Sequence, residues 1–408
     1  MDERFFKEKE TLEMAVYNFV ATAVLIAILQ AILSNFINLN VPILTIWIIY
    51  LAAHPNSQGR KHTIRTFLKI DFSLMIYILG TICFLLIFLN GLLNKNTFIK
   101  EWLYQLHAII ILLCVYCISE KYEWELGNEK YLASTLFLFC SGSLVIHFFF
   151  WDTLAVQFYN NRFSNLGGLY FDGTYRKLYG LLFNPIATAI TLFLVLLIIS
   201  EYRERYFYSK LLLYVCLACS LSRGIYICAG TYVIGRLIIS NHYWVRQLSR
   251  VSFSLIALYL VLFDIDTLPS IFSDSTGSTK THLYSITMPL TYLLNFTGEG
   301  FHSDVLAGSS IIRLESWILN FAYANGQFVG IILTLIIVAI VYKRRFRSRT
   351  FGMVSSLSIL PLFIVYPLYT FNLPLVLLCF YISMPKSINS SKKRNRFNNA
   401  CGKSSIKI

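Results

Sequence analysis

The chain is dominated by apolar segments, most of which are long enough to cross a lipid bilayer as a helix. A transmembrane helix needs about 20 consecutive, mostly apolar residues. Only 14% of the residues are charged, against about 25% in soluble domains. We therefore expect an all-α, polytopic integral membrane protein of about 10–12 transmembrane helices, built as a single integrated domain over residues 1–408. The predicted spans lie near 14–33, 36–53, 71–92, 102–119, 131–150, 178–200, 211–221, 224–240, 251–269, 316–341, 351–369 and 372–384.

The distribution of Lys and Arg predicts how these spans are oriented. Cytoplasmic loops of membrane proteins carry an excess of Lys and Arg. With the N-terminus inside, most of the 35 basic residues fall on the cytoplasmic side. This places 1–13 and the basic tail, 385–408, in the cytoplasm, and a long polar loop near 270–315 outside. The formal net charge of +14 then reflects topology and contact with lipid headgroups, so we expect membrane lipid, and no nucleic acid, as a partner.

An arginine interrupts the apolar run 211–240 at Ser222-Arg223-Gly224. One continuous helix would be about 45 Å long and would turn the basic tail to the outside, whereas two short helices that meet at this break preserve the charge asymmetry. Arg223 then lies within the depth of the membrane, where a charge is costly and usually faces a functional cavity. A guanidinium group is a planar, permanently charged donor that suits phosphate. We therefore predict an anion site at Arg223, supported by Ser222 and Gly224.

A second arginine, Arg176, precedes the run Gly180-Leu-Leu-Phe-Asn184-Pro185 at the outer end of a predicted span. Inside a helix that covers 178–200, Asn184 and Pro185 would open the backbone near Arg176 and free polar groups there. The alternative is an arginine that extends to the lipid headgroups, with a proline kink behind it. Both interpretations of Arg176 stay open on the sequence.

Charged residues also cluster around the long outer loop. Arg313, Glu315 and Ser316 lead into the next predicted span. Arg313 is a candidate third cation and Glu315 a candidate acid or base, or the two side chains simply pair with each other. Glu299 and His302 lie within the loop, where His302 either accepts a proton near neutral pH or is a solvated side chain.

Signatures of nucleotide and metal sites are missing from the sequence. There is neither a Gly-x-x-x-x-Gly-Lys-Ser/Thr phosphate loop nor a His/Glu zinc motif on a predicted helix. Two Cys-x-x-Cys pairs, at 114–117 and 216–219, fall inside apolar spans without His or acidic neighbours. We therefore expect no cofactor and no metal.

In their order along the chain, these motifs resemble the O-antigen polymerase and ligase superfamily of bacterial envelope enzymes. The run 180–187 is similar to the family's Gly-x-Phe-x-Asn-Pro-Asn-x-x-Ala stretch, with Ile186 in place of the second asparagine. Ser222-Arg223-Gly224 is similar to the Ser-Arg-Gly/Ser that opens a family helix. The segment 298–301 resembles the family's Gly-x-Gly-Phe, and 315–330 resembles its Glu-Ser or His-Asn start of a glycine-bearing helix.

The resemblance implies a metal-independent glycosyltransferase of the bacterial cytoplasmic (inner) membrane, acting at its outer face on a polyprenyl-pyrophosphate-linked oligosaccharide. The residues expected to hold the pyrophosphate are Arg176, Arg223 and Arg313, and the acid–base candidates are Glu315, Glu299 and His302. Glu315 at the Glu-Ser position favours a repeat-unit polymerase over a ligase, and a flippase of lipid-linked oligosaccharide is the third hypothesis. A chain-length regulator and a flippase are candidate protein partners, and the sequence leaves open whether the protein works alone.

Overall fold

The protein is almost entirely α-helical in the part that its computed structural model describes. The described residues are 16–37, 39, 41–54, 72–93, 99–122, 129–150, 153, 178–202, 207–239, 243–247, 249, 251, 298, 300, 305–307, 310–312, 317–343, 354, 357–360, 362–363, 366 and 370–383. The helices are α1 (Val16–Phe36), α2 (Ile43–Ala53), α3 (Phe72–Leu93), α4 (Ile99–Lys121), α5 (Glu129–Phe149), α6 (Pro185–Tyr202), α7 (Phe207–Cys219), α8 (Arg223–Ile238), α9 (Trp317–Asn325), α10 (Gln327–Lys343) and α11 (Asn372–Ser383).

A short antiparallel hairpin lies within the predicted outer loop 270–315. Strand β1 (Val305–Ala307) pairs with β2 (Ser310–Ile312), and Val305 lies opposite Ile312. The rest of that loop lies almost wholly outside the described residues, so its external position stays a prediction. The predicted cytoplasmic segments 1–13 and 385–408, and almost all of the predicted span 251–269, also lie outside them.

Four helices of the described chain are long and apolar enough to cross a membrane. They are Tyr17–Phe36 within α1, Phe72–Leu93, Ile99–Lys121 and Glu129–Phe149. Their 20–23 residues rise about 30–35 Å, which matches the hydrocarbon core. The outer face of α3 is apolar, and Leu85, Leu89 and Leu92 are all exposed. Such a surface is unfavourable in water and ordinary against lipid acyl chains, so the chain is a membrane protein.

The predicted span 36–53 is helical only from Ile43 onward, which corrects the sequence prediction. Pro42 precedes this helix, and proline disfavours helical backbone in the residue before it and lacks an N–H group. The resulting helix α2 has 11 residues, a rise of about 16 Å, or half of the hydrocarbon core. Gln30 Oε1 of α1 accepts the N–H of Leu44 at 3.2 Å. The first turn of α2 therefore lies beside Gln30 and not beside Phe36, the last residue of α1.

The bundle has two ends, which we call the Lys121 end and the Asn90 end. At the Lys121 end, Lys121 Nζ donates to the carbonyl oxygens of Ala52 and His54, the latter at 3.3 Å. A cation there interacts favourably with the negative C-terminus of α2. Ser73 Oγ, at the start of α3, donates to Glu120 Oε2 at 3.2 Å. Helix α3 therefore begins where α2 and α4 end, and its last turn, with Asn90, lies at the opposite end.

Helix α11 forms the centre of the described bundle. It packs against α1, α2, α4, α6 and α10, and every residue from Leu373 to Ile382 is buried. Phe380 stacks on Phe19 of α1 with ring centroids 4.7 Å apart. Because protein rather than lipid surrounds α11, its 12 residues need not match the bilayer thickness. A helix of this length is too short to cross the bilayer alone, and its burial among other helices accounts for that length.

Candidate functional site

The Gly-Leu-Leu-Phe-Asn-Pro run forms a turn and a helix start. Gly180 has a φ of +71° and Phe183 a φ of +49°, and the Phe183 N–H donates to Gly180 O at 3.1 Å. Asn184 Oδ1 accepts the N–H groups of the second and third residues of α6, each at 3.0 Å. Asn184 is thus the N-cap of α6 and Pro185 its first residue, the position at which proline is best tolerated. The prediction that Asn184 and Pro185 open a helix running from 178 is therefore wrong.

Neighbouring side chains hold this turn in place. Thr188 Oγ1 donates to Tyr179 O at 2.9 Å, and a Cβ on Gly180 would lie 2.5 Å from the Thr188 side chain. The Leu181 N–H donates to Ser143 Oγ of α5 at 3.2 Å. Glycine is needed at Gly180 both for its positive φ and for this close approach. The turn that follows Arg176 in sequence is thus attached to both α5 and α6.

The predicted break at Ser222-Arg223-Gly224 is confirmed as a junction of two short helices. Helix α7 ends at Cys219 and α8 begins at Arg223. Ser222 is the N-cap residue of α8 in extended conformation, but its side chain makes no capping hydrogen bond. With 13 and 16 residues, both helices are shorter than the roughly 20 residues of a full crossing. The structure describes the backbone of Arg223, which is the first residue of α8.

A tyrosine that the sequence did not single out contacts both neighbours of Arg223. Tyr366 Oη lies 2.7 Å from Ser222 Oγ. A Cβ on Gly224 would lie 2.5 Å from Tyr366 Oη. Tyr366 is one of 26 tyrosines and is 144 residues away in sequence, so no local pattern marks it. Because this tyrosine occupies the space beside residue 224, only glycine fits there without displacement.

The two arginine-bearing segments lie side by side. The N–H of Leu178, two residues after Arg176, donates to the carbonyl oxygen of Cys219 at the end of α7, at 3.1 Å. Cys219 is four residues before Arg223. Arg176 itself lies outside the described residues, so its proposed contact with an anion stays a prediction. Backbone N–H groups and the helix dipole at the N-terminus of α8 favour anions.

The glycines of the Gly-x-Gly-Phe motif, in the predicted outer loop, pack against a sharp turn between α9 and α10. Gly298 and Gly300 have φ values of +70° and +91°, and the Gly300 N–H donates to Ala324 O at 3.2 Å. A Cβ on Gly298 would lie 2.5 Å from both Ala324 O and Gly326 N. Glu299, between these two glycines, and His302, two residues later, lie outside the described residues.

The predicted span 316–341 is two helices and not one. Gly326, with a φ of +88°, separates α9 from α10. A Cβ on Gly330 would lie only 2.6 Å from the Cβ of Ala322, so α9 folds back on α10. Eight residues of continuous helix would separate such positions by about 12 Å. The sequence motif Asn-Gly thus marks a helix break at this point.

A set of hydrogen-bonded polar side chains, which we call the polar ladder, lies next to that turn. Its members are the buried Glu101, Gln105, Asn320 and Asn325 and the partly buried Asn90. Asn320 Nδ2 donates to Glu101 Oε1 at 3.5 Å, and Asn325 Nδ2 donates to Gln105 Oε1 at 2.7 Å. Asn90 Nδ2 donates to Asn325 Oδ1 at 3.2 Å. The sequence analysis did not single out these residues. Glu101 and Gln105, one turn apart at the start of a predicted span, were a usable signal, because ionisable groups in spans are usually functional.

One helical turn joins the two halves of the site. The Tyr366 N–H donates to Leu362 O at 3.2 Å. Phe363 in that turn stacks on Trp317, with ring centroids 5.3 Å apart and 10° between the planes. Trp317 is the first residue of α9, and Arg313, Glu315 and Ser316, just before it, lie outside the described residues. Residues three apart in a helical turn are neighbours, so the Ser222 side and the Trp317 side share one support.

Among the described residues, no group of three or more His, Cys, Asp or Glu side chains is arranged to hold a metal ion. The expectation of a metal-free and cofactor-free site stays a prediction. No protein-family model matches the chain, and no curated protein matches it significantly. The resemblance to the polymerase and ligase superfamily therefore depends on the motifs alone.

Proposed function

We propose that the protein is a polysaccharide repeat-unit polymerase, which transfers glycan from a polyprenyl-pyrophosphate donor to a lipid-linked acceptor at the outer face of a bacterial cytoplasmic membrane. The observation that carries this proposal is the hydrogen bond from the Leu178 N–H to Cys219 O at 3.1 Å. It joins the segments that bear Arg176 and Arg223, as a shared diphosphate site requires. The resemblance of the four motifs supplies the chemistry, and the contact between the segments that adjoin the first two motifs supports it.

The chemistry assigns a separate role to each half of the site. The donor's anomeric carbon loses its bond to the pyrophosphate oxygen and gains a bond to the acceptor hydroxyl oxygen. Arg176, Arg223 and Arg313 stabilise the negative charge on the departing polyprenyl pyrophosphate, which lowers the barrier. An acid–base residue from Glu315, Glu299 or His302 takes the hydroxyl proton. The helix start at Arg223 adds backbone N–H groups that favour the same anion.

The first test compares polymer length in cells that lack the protein and carry wild type, Arg223→Ala or Arg223→Lys at matched membrane abundance. We expect wild type to restore long polymer on a gel, and both variants to leave single repeat units, with transfer slowed roughly a hundredfold. Lysine keeps the charge of Arg223 but loses the planar fork of donors. Arg236→Lys, at the other end of α8, is the matched control and should restore full-length polymer.

Two results would contradict the proposal. If Arg223→Ala and Arg223→Lys both restore full-length polymer, Arg223 does not hold the pyrophosphate. If repeat units accumulate on the inner face in cells without the protein, transport and not polymerisation is the missing step. Lipid-linked repeats that reach the outer face and stay unpolymerised would instead exclude the flippase hypothesis.

A further inference from the structure

The polar ladder joins three helices at the Asn90 end of the bundle. Glu101 is 5% exposed, Asn320 3% and Gln105 0%, so these side chains are removed from water. Burying such groups costs free energy unless they find partners. Their partners lie about half the chain away, 219 and 220 residues along the sequence. The ladder therefore links α9 to α4.

The same ladder is attached to the outer loop. Ala324 O, near the C-terminus of α9, accepts Asn90 Nδ2 at 2.9 Å and the Gly300 N–H at 3.2 Å. One carbonyl oxygen thus binds both α3 and the loop motif. Gly298 lies so close to the same carbonyl oxygen that a Cβ at this position would not fit. The loop is therefore anchored where it approaches α9, on both sides of Glu299.

Stability alone does not account for this arrangement. Buried polar groups often contribute no more stability than apolar residues of the same shape. Gln105 Nε2 is buried and has no hydrogen-bond partner in the described part of the chain, which costs stability. The hydrogen bonds of the ladder are directional, so they hold the α9–α10 turn in one position.

We propose that the polar ladder is a positioning device for the outer loop, and that Glu101 is a positioning residue within it. The ladder fixes Gly298 and Gly300 within the loop and Asn320 near the start of α9. The acid–base candidates of the loop lie beside or between these fixed points in sequence, and we propose that they act on the acceptor hydroxyl. This inference rests on the proposed polymerase function. It predicts that ladder residues govern use of the acceptor, while the arginine segments govern use of the donor.

The test measures transfer by the purified full-length protein in proteoliposomes, with a lipid-linked repeat unit as donor and a separate short acceptor. We expect Glu101→Ala and Asn325→Ala to raise KM for the acceptor by about tenfold, because small displacements of reacting groups are costly. KM for the donor should stay within about twofold. Glu101→Gln keeps the oxygen that Asn320 binds and should behave like wild type.

Thr191→Val is the matched control, because Thr191 Oγ1 is also buried, lies outside the ladder and has no hydrogen-bond partner among the described residues. Loss of folded protein lowers the maximal rate and leaves both KM values alone. The proposal is overturned if the alanine variants show only that pattern. It is also overturned if Glu101→Gln is as damaging as Glu101→Ala, because Glu101 would then act through its charge.

A covalent replacement of the ladder provides the second measurement. Asn90→Cys with Asn325→Cys removes the bond between these side chains, and a short bis-methanethiosulfonate linker then reconnects α3 to α9. We expect linkage to restore the acceptor KM that the unlinked double variant loses. The wild-type chain with the same reagent is the control for its native cysteines.

The linkage also separates the two proposals. If linked chains form but wild type makes no polymer, the polymerase function fails while the ladder geometry stands. If the linker does not join residues 90 and 325, or if linkage abolishes transfer that the unlinked variant retains, the positioning role fails.

Discussion

Arg223 is held in place through its neighbours. Ser222 contributes its hydroxyl to Tyr366 and so leaves the start of α8 without a side-chain cap. Gly224 has no side chain, which lets the same tyrosine approach the backbone. Tyr366 is buried and cannot move aside easily, because interiors are closely packed. A short motif thus depends on one distant side chain.

The contact between Gly224 and Tyr366 predicts a measurable coupling. Gly224→Ala should destabilise the protein by about 1–3 kcal/mol, as overpacking does. Tyr366→Phe removes Oη, the atom nearest to the added Cβ. The double variant should therefore be more stable than the two single free-energy changes added together predict, by at least about 0.5 kcal/mol. Denaturant unfolding of the detergent-solubilised protein measures these free energies. Strict additivity would show that the two residues do not touch.

At the scale of helices, the sequence predicts best where apolar length alone decides. Helices α1, α3, α4 and α5 are long and apolar, and their predicted positions agree with the structure within a few residues. Predictions failed where one residue changes the backbone path, as at Pro42, Asn184 and Gly326. In each case apolar residues continue on both sides, so hydropathy does not register the break.

The candidate site was predictable in part for a related reason. Local motifs identified Gly180 and the Ser222–Gly224 break, because their conformational demands are visible in a few residues. Tyr366 and the polar ladder depend on contacts across 144 to 235 residues. Such contacts are set by helix packing, which one sequence does not disclose.

The loop motif and the α9–α10 turn form one unit, which predicts a contrast between two glycines. Gly298→Ala places a Cβ against backbone atoms at a φ of +70°, so the loop must detach and polymer length should fall sharply. A Cβ on Gly230, in α8, would meet nothing within 4 Å, and alanine is more favourable than glycine inside a helix by about 1 kcal/mol. Gly230→Ala should therefore leave polymer length unchanged. Polymer gels at matched abundance report both. Full-length polymer with Gly298→Ala would mean that the loop does not need this anchor.

For the molecule as a whole, the two ends of the bundle differ in what they hold. The Lys121 end gathers the ends of α2 and α4 and the start of α3 through polar contacts. The Asn90 end gathers the polar ladder, the loop glycines and the turn between α9 and α10. If the proposed function is right, the Asn90 end faces outward.

This orientation predicts which introduced cysteines react in intact cells. Asn96→Cys lies in the connection between α3 and α4, at the Asn90 end, and should react with a membrane-impermeant maleimide from outside. Ser57→Cys follows α2 at the Lys121 end and should react only after permeabilisation, as should the native Cys401 in the tail. Mass-shift gels measure the labelling. The reverse pattern would place the proposed chemistry in the cytoplasm and contradict the polymerase proposal.

The central position of α11 has a consequence for biogenesis. Ribosomes make α11 after all the other described helices, yet it packs between α1, α2 and α4 from the first part of the chain and α6 and α10 from the second. Until it emerges, the surfaces that it covers stay open to lipid and to membrane proteases. We therefore expect the described helices to reach their final packing only after α11 has been made.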